Sequence, residues 1–170
     1  APHFTYEGDQ GPTHWASLTT DYSACGTGKN QSPMDINTTG SVTADFSDIQ
    51  FNYTTSSLNI LNNGHTVQVN YDAGSNITVN GKIYNLLQFH FHTPSEHTID
   101  GTSFPIEMHL VHASADGDLA VVGVLFTEGS ENAELLNIVN SIPATESEVE
   151  TIANVTVDAN NLLPTKTLEY

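Results

Sequence analysis

Three histidines on two strand-like segments have the residue type and the spacing of a metal site. His90 and His92 alternate with phenylalanines, which is the two-residue period of a β-strand, so both imidazoles point to one face. His109 lies in a second strand-like run at residues 106–111. If the two runs pair antiparallel, the three imidazoles converge on one patch. That patch is a site of three histidines with an open fourth position, the catalytic form of zinc coordination.

Two polar residues favour a metal site over two ordinary surface histidines, which is the usual meaning of an isolated His-x-His. Gln88 and Glu107 each stand two residues before a histidine, on the same face of the strand. Side chains in such positions fix the tautomer of a ligating imidazole by hydrogen bonding to its second nitrogen. Polar groups among phenylalanine, leucine and methionine would be costly to bury without such partners. The pattern therefore predicts Zn²⁺ at His90, His92 and His109.

Several blocks of the chain resemble the α-class carbonic anhydrases, and they occur in that family's order. The blocks are Gln88–His92 (QFHFH), Ser95–Thr98 (SEHT), Glu107–His112 (EMHLVH), Gln31–Ile36 (QSPMDI), Leu61–His65 (LNNGH) and Asp118–Gly123 (DLAVVG). The resemblance implies a mostly β fold, with one domain over residues 1–170. It also implies a large, twisted, mainly antiparallel sheet, short peripheral helices and zinc at the base of a cleft.

The resemblance further implies the reversible hydration of CO₂, in which zinc-bound hydroxide attacks CO₂ to give bicarbonate and a proton. His65 matches the family's proton shuttle, and the ordinary histidine pKa of about 6.5 suits that step. The simpler interpretation of His65 is an exposed turn histidine beside Gly64. His97 and His112 also follow family positions, and we interpret both as structural. The resemblance assigns further residues to the pocket, although each has a simpler role in a turn, a strand or the core: Tyr6, Asn63, Gln68, Val111 and Val121.

Glu96 and Cys25 point to groups outside the sequence. In the family, the glutamate at the Glu96 position accepts a hydrogen bond from a threonine of a Ser-Leu-Thr-Thr-Pro-Pro block, and the sequence ends at Tyr170 without that block. Cys25 matches the family cysteine that bonds to one just after the block. We therefore expect a C-terminal companion chain linked through Cys25. A fragment or a chain break is the competing explanation.

Composition limits the partners. Three basic and 20 acidic residues give a net charge of −17, which excludes nucleic acid because phosphate binding requires lysine and arginine. Salt tolerance, an acidic habitat and mineral contact each favour such a surface. No stretch approaches the ~18 apolar residues of a membrane span. The polar start at Ala1 predicts a secreted protein, extracellular or periplasmic, and the sequence leaves a homodimer open.

Five Asn-x-Ser/Thr sequons are candidate glycosylation sites, where roughly three would occur by chance. They begin at Asn30, Asn37, Asn52, Asn76 and Asn154.

The remaining pattern predicts an irregular arm over residues 1–30, with Met34 and Ile36 facing a core. Short strands follow, separated by turns rich in asparagine and glycine. They are predicted at 49–53, 58–61, 66–71, 76–79 and 82–86. The Asn80-Gly81 pair predicts a type I′ hairpin.

Beyond the histidine segments, the apolar run at 119–127 predicts a central strand that is covered on both faces. A helix is expected at 132–139, with Leu135, Leu136 and Val139 on one side, and a second short helix at 146–152.

Two rival functions differ in class. A non-catalytic, carbonic anhydrase-like binding or mineral-matrix protein fits the strong acidity, but non-catalytic relatives usually lose a zinc ligand and here all three are present. A zinc esterase or protease would require a His-Glu-x-x-His helix, which the sequence lacks.

Overall fold

The structure, a computed structural model, describes residues 3–42 and 48–164. The chain forms two compact units that divide between Met34 and Asp35. No helix within the described ranges is long and apolar enough to cross a membrane. Tyr170, where the sequence ends, lies outside these residues.

The first unit is built from short helical turns around an aromatic cluster. Helices α1 (Trp15–Leu18) and α2 (Ala24–Thr27) are each one turn long. The rings of Phe4, Tyr6 and Trp15 meet edge to face at centroid distances of 5.5–6.0 Å. The predicted irregular arm is thus locally helical. Met34, predicted to face a core, is 59% exposed. That prediction was wrong, because an apolar residue in a segment without periodicity does not indicate which way its side chain points.

The second unit contains ten strands and a third helix among the residues the structure describes. The strands are β1 (Asp35–Ile36), β2 (Gln50–Asn52), β3 (Ser56–Asn62), β4 (Val67–Asn70), β5 (Asn76–Val79), β6 (Lys82–His92), β7 (Thr98–Ile99), β8 (Ile106–Ala113), β9 (Leu119–Phe126) and β10 (Glu150–Val157), and the helix is α3 (Ala133–Val139). Strands β1 and β7 pair in parallel. The other eight form one antiparallel sheet, as the mostly β prediction requires.

Strand β6 lies at the centre of this sheet because its 11 residues have room for three neighbours. Strand β8 pairs along one edge of β6, and on the other edge β5 pairs with its first half and β4 with its second half. Strand β9 lies outside β8, β3 and β10 lie beyond β4, and β2 lies beyond β5. The predicted hairpin between β5 and β6 is confirmed: Asn80 (φ 49°) and Gly81 (φ 78°) both have the positive φ of a type I′ turn.

One face of the central strands forms the core and the other carries the polar residues. Phe89, Met108, Leu110 and Val69 are completely buried on the core face. Because side chains alternate along a strand, the residues between them point to the opposite face. The same alternation that fixes the core therefore places His90 and His109 together on the other side.

Strand β9 contradicts the prediction of a strand covered on both faces. In the part of the chain that the structure describes, β9 pairs only with β8. Leu119 and Val121 are 68% and 55% exposed, while Val124 is buried. A continuous apolar run does not reveal which face is covered, because it lacks the alternation that distinguishes one face from the other.

The two predicted helices had different outcomes. Helix α3 forms, and the Asn132 side chain caps it by accepting from the backbone N–H groups of Glu134 and Leu135. Its buried residue is Ile138, and Leu135 packs against the core as predicted, whereas the prediction was wrong for Leu136 and Val139, which are exposed. The segment 146–152 is not helical. Strand β10 begins at Glu150, where pairing with β3 overrides a weak helical preference.

Candidate metal centre

The three histidines converge as predicted because of the register between β6 and β8. His90 lies directly opposite His109, and His92 lies opposite Glu107. One ligand nitrogen from each of the three histidines lies within 4.8 Å of the other two. The ring centroids are 5.0 Å apart for His90 and His92, 5.4 Å for His90 and His109, and 4.7 Å for His92 and His109.

Two hydrogen bonds select which nitrogen of His90 and which nitrogen of His109 faces the other ligand rings. Gln88 Oε1 is 2.9 Å from His90 Nδ1, so Nε2 of that ring is the one left for a metal. Glu107 Oε1 is 2.8 Å from His109 Nε2, so Nδ1 of that ring is left. Both contacts were predicted, and they are the outer partners that orient ligating imidazoles. The donor set of three imidazoles, two of them oriented by these hydrogen bonds, fits Zn²⁺.

Burial and the neighbouring rings keep His90 and His92 neutral, as metal ligands must be. Burial, reinforced by the neighbouring rings, lowers the pKa of His90 to about 4. Burial and the proximity of His109 lower the pKa of His92 to about 4 as well. Two of the three imidazoles therefore stay unprotonated well below neutral pH.

Glu107 holds His109 through a carboxylate that accepts four hydrogen bonds. Its Oε1 receives His97 Nδ1 at 2.6 Å as well as His109 Nε2, and its Oε2 receives the backbone N–H groups of Glu96 and His97 at 2.9 Å each. Burial alone would raise the pKa of Glu107, but the hydrogen bonds from His109 and His97 outweigh it and hold that pKa at about 2. A second group that could hold a cation, His97 with Glu107 and His109, is this same hydrogen-bonded cluster. In this cluster Glu107 Oε1 already accepts hydrogen bonds from both histidines.

Glu96 faces the ligand nitrogens. Its Oε2 is 3.3 Å from His92 Nε2 and 3.8 Å from His109 Nδ1. Burial raises the pKa of Glu96, against the attraction of His109. The carboxylate of Glu96 thus lies beside the metal centre. Its hydrogen bond to a threonine stays a prediction.

The predicted shuttle lies in a turn that Asn63 holds in place. Asn63 Oδ1 accepts the backbone N–H groups of His65 at 3.0 Å and Thr66 at 2.9 Å, and Gly64 has φ 81°. His65 is exposed. The side-chain oxygen of Asn63 therefore has the simpler role of holding a turn, and the place of Asn63 in the pocket stays a prediction.

Three predicted pocket residues lie on the sheet face that carries the histidines. Gln68 lies opposite His90 in register and donates to Asn70 Oδ1 at 2.7 Å. Val111 and Val121 lie opposite each other on β8 and β9. They stand two residues from the pair His109–Gly123, on the same face, and give that face an apolar side.

Of the remaining predicted residues, Tyr6 and Cys25 belong to the first unit and Asn37 to the second. Tyr6 packs on Trp15 in the first unit, and its role in a pocket stays a prediction. Cys25 is exposed, and no disulfide is formed. The side chain of Asn37 closes a turn by accepting from Gly40 N at 3.0 Å. Glycosylation of the five sequons stays a prediction. So does the linkage of Cys25 to another chain.

The histidine pKa values predict how acid affects stability. An unfolded histidine has a pKa of about 6.5, whereas His90 and His92 in the folded chain have values of about 4. Between about pH 7 and pH 5 the unfolded state therefore binds more protons, and the metal-free protein should lose stability as pH falls. Urea unfolding at several pH values in chelator checks this. His90→Asn/His92→Asn should show a weaker pH dependence than the wild type, and equal dependence would contradict the prediction.

Comparisons with known proteins agree with this geometry. A family model described as eukaryotic-type carbonic anhydrase matches residues 10–170. Carbonic anhydrases of Neisseria gonorrhoeae and Pectobacterium carotovorum are 44% and 41% identical, each over 99% of this chain and over 65% and 68% of their own lengths. The chain thus spans about two thirds of the length of these curated relatives.

A solved structure shares the fold. It is the α-carbonic anhydrase from Thermovibrio ammonificans in complex with the inhibitor sulfanilamide. It superposes with a TM-score of 0.93 at 38% identity, covering 98% of this chain and 73% of that one.

Proposed function

Because the chain belongs to the eukaryotic-type carbonic anhydrase family, we propose that this protein binds one zinc ion at His90, His92 and His109 and catalyses the reversible hydration of CO₂. The observation that carries the proposal is the convergence of three imidazole nitrogens within 4.8 Å, two of them oriented by Gln88 and Glu107. The non-catalytic alternative predicts a defective ligand set. An intact and oriented set favours the enzyme.

The ligand set supports this chemistry through its charge. A bound zinc ion supplies Lewis acidity that lowers the pKa of a coordinated water, as is known for carbonic anhydrases. Three neutral imidazoles leave the ion its full double charge. The anionic Glu107 reaches the centre only through the His109 ring, so it orients a ligand without occupying a coordination position.

The surroundings of the centre divide into an apolar and a polar side. Val111 and Val121 offer an uncharged surface next to His109, which suits a substrate without net charge or dipole. Oε2 of Glu96 lies beside the ligand nitrogens and can accept a hydrogen bond there. Gln68, opposite His90, begins a polar side towards the turn that bears His65.

His65 would transfer the proton to solvent. Its imidazole is exposed, so it can exchange a proton with solvent and buffer. The backbone of its turn is fixed by Asn63, which limits where the ring can lie.

His65→Ala should retain zinc and the CO₂/bicarbonate interconversion but slow proton release, lowering kcat by about tenfold or more in weak buffer. Added imidazole should restore much of the loss, because a diffusible base replaces the tethered one. Stopped-flow hydration at low and high buffer concentration, together with isotope exchange between CO₂ and bicarbonate, separates the two steps.

His14→Ala, which removes an exposed histidine of the first unit, is the matched control and should behave as the wild type. If His65→Ala were as fast as the wild type in weak buffer, another residue would carry the proton.

CO₂ hydration by the purified protein, with and without a zinc chelator, tests the proposed function. Activity that disappears with the metal and returns with added zinc is expected. A zinc-loaded protein without hydration activity would favour the binding or matrix function. The comparisons give no support for a companion chain or a homodimer. Secretion stays a prediction from sequence.

A further inference from the structure

Gly123 on β9 lies close to two side chains of the metal centre. It is directly opposite His109 in the register of β8 and β9. A Cβ at this position would lie 3.0 Å from Glu107 Oε1 and 3.8 Å from His109 Cδ2. A contact of 3.0 Å is tighter than nine in ten real Cβ contacts, so the carboxylate would have to move by a few tenths of an ångström.

Backbone conformation does not explain this glycine. Six other glycines of the described chain have positive φ, where a side chain would be strained, but Gly123 is not among them. A glycine within a strand costs stability and often marks a place where another group approaches closely. Here the approaching group is the buried carboxylate of Glu107, whose residue is only 1% exposed.

Three further hydrogen bonds hold the carboxylate of Glu107 in place. Its two oxygens accept from His97 Nδ1 and from the backbone N–H groups of Glu96 and His97, at 2.6–2.9 Å. Displacement by a methyl group would therefore break hydrogen bonds within the cluster. The hydrogen bond from His109 Nε2 goes to Glu107 Oε1, and this is the same atom that the methyl group would contact.

We propose that Gly123 is a positioning residue: its missing side chain leaves the space in which Glu107 holds His109 with Nε2 protonated and Nδ1 directed towards His90 and His92. The inference rests on the proposed zinc site, but its structural part concerns the metal-free protein. Gly123 acts through Glu107 and contacts no reacting atom.

Gly123→Ala should lower zinc affinity about ten- to a hundredfold, the usual cost of losing an outer partner of a ligating histidine. Competition with a chromophoric chelator measures it. The matched control is Gly129→Ala, which adds the same methyl group where nothing lies within 4 Å, and it should bind zinc as the wild type does.

The histidine tautomer provides a readout that a general loss of stability would not change. In metal-free wild type, long-range ¹H–¹⁵N spectra should show His109 with its proton on Nε2. In Gly123→Ala the Nδ1-protonated form should appear. Wild-type zinc affinity or an unchanged tautomer in this variant would overturn the proposal.

Shortening the carboxylate tests the coupling. Glu107→Asp withdraws the oxygens from Gly123, so adding Gly123→Ala to that variant should cause little further loss of zinc affinity. If Gly123→Ala alone does not fold, the double variant should fold and bind zinc. If neither folds, the methyl group acts through something other than Glu107 and the proposal is wrong. A wild type that binds no zinc would instead refute the proposed function, while the tautomer comparison would still decide the role of Gly123.

Discussion

Replacing His109 with alanine is expected to lower zinc affinity about a thousandfold and to abolish CO₂ hydration. Zinc held by a full set of protein ligands is bound by roughly 10–16 kcal/mol. One of three ligands then contributes about 4 kcal/mol, which corresponds to about three orders of magnitude in affinity. The variant also removes one of the two hydrogen-bond donors to Glu107 Oε1, so the carboxylate loses its link to the centre.

Zinc content after equilibrium dialysis against buffered zinc measures this effect, and His14→Ala is again the control. Unchanged zinc content in His109→Ala would show that the ion, if bound, is held elsewhere. Because His109 is 8% exposed, circular dichroism of the metal-free variant should accompany the measurement. A folded variant without zinc confirms the ligand assignment.

Phe89→Ala is expected to lower the free energy of unfolding by about 3–5 kcal/mol, the usual cost of deleting a buried aromatic side chain. Phe89 is completely buried and lies opposite Val69 and Leu110 in register. Its ring meets the ring of Phe91 edge to face at 5.7 Å. It precedes His90 directly, so the cavity would lie behind the metal centre.

Urea denaturation of the metal-free protein measures the loss without a contribution from bound zinc. Leu87→Ala is the control, because Leu87 belongs to the same strand but is 48% exposed, and it should cost less than about 1 kcal/mol. Equal losses in the two variants would contradict the assignment of the core face.

The metal centre could be predicted from the sequence because short segments of the chain determine which side chains come together. The alternation around His90 and His92 fixes their shared face, and one antiparallel pairing brings His109 to it. Gln88 and Glu107 could be predicted for the same reason, since each lies two residues before its histidine on the same strand.

The rest of the centre depends on pairings that no short segment encodes. His97 could be predicted only as structural, because its approach to Glu107 depends on the path between β6 and β8. Gly123 in DLAVVG gave no signal of its own. Its importance appears only once β9 lies beside β8. A search for glycines opposite predicted ligands on neighbouring strands could have found it.

Errors in the fold have the same origin. The apolar run of β9 does not reveal that Val121 is exposed. The end of the predicted helix 146–152 instead belongs to β10, because β3 offers it a partner. Local pattern decides the type of an element where periodicity is strong. Tertiary pairing decides it where periodicity is weak.

X-ray absorption at the zinc K edge of the zinc-loaded protein tests the central claim most directly. Three imidazoles and an open position predict four nitrogen or oxygen donors at about 2.0–2.1 Å, three of them with the multiple scattering of histidine rings. His109→Ala should show no more than two histidine rings around any zinc that remains. A sulfur donor near 2.3 Å, or fewer than three histidine rings in the wild type, would contradict the site at His90, His92 and His109.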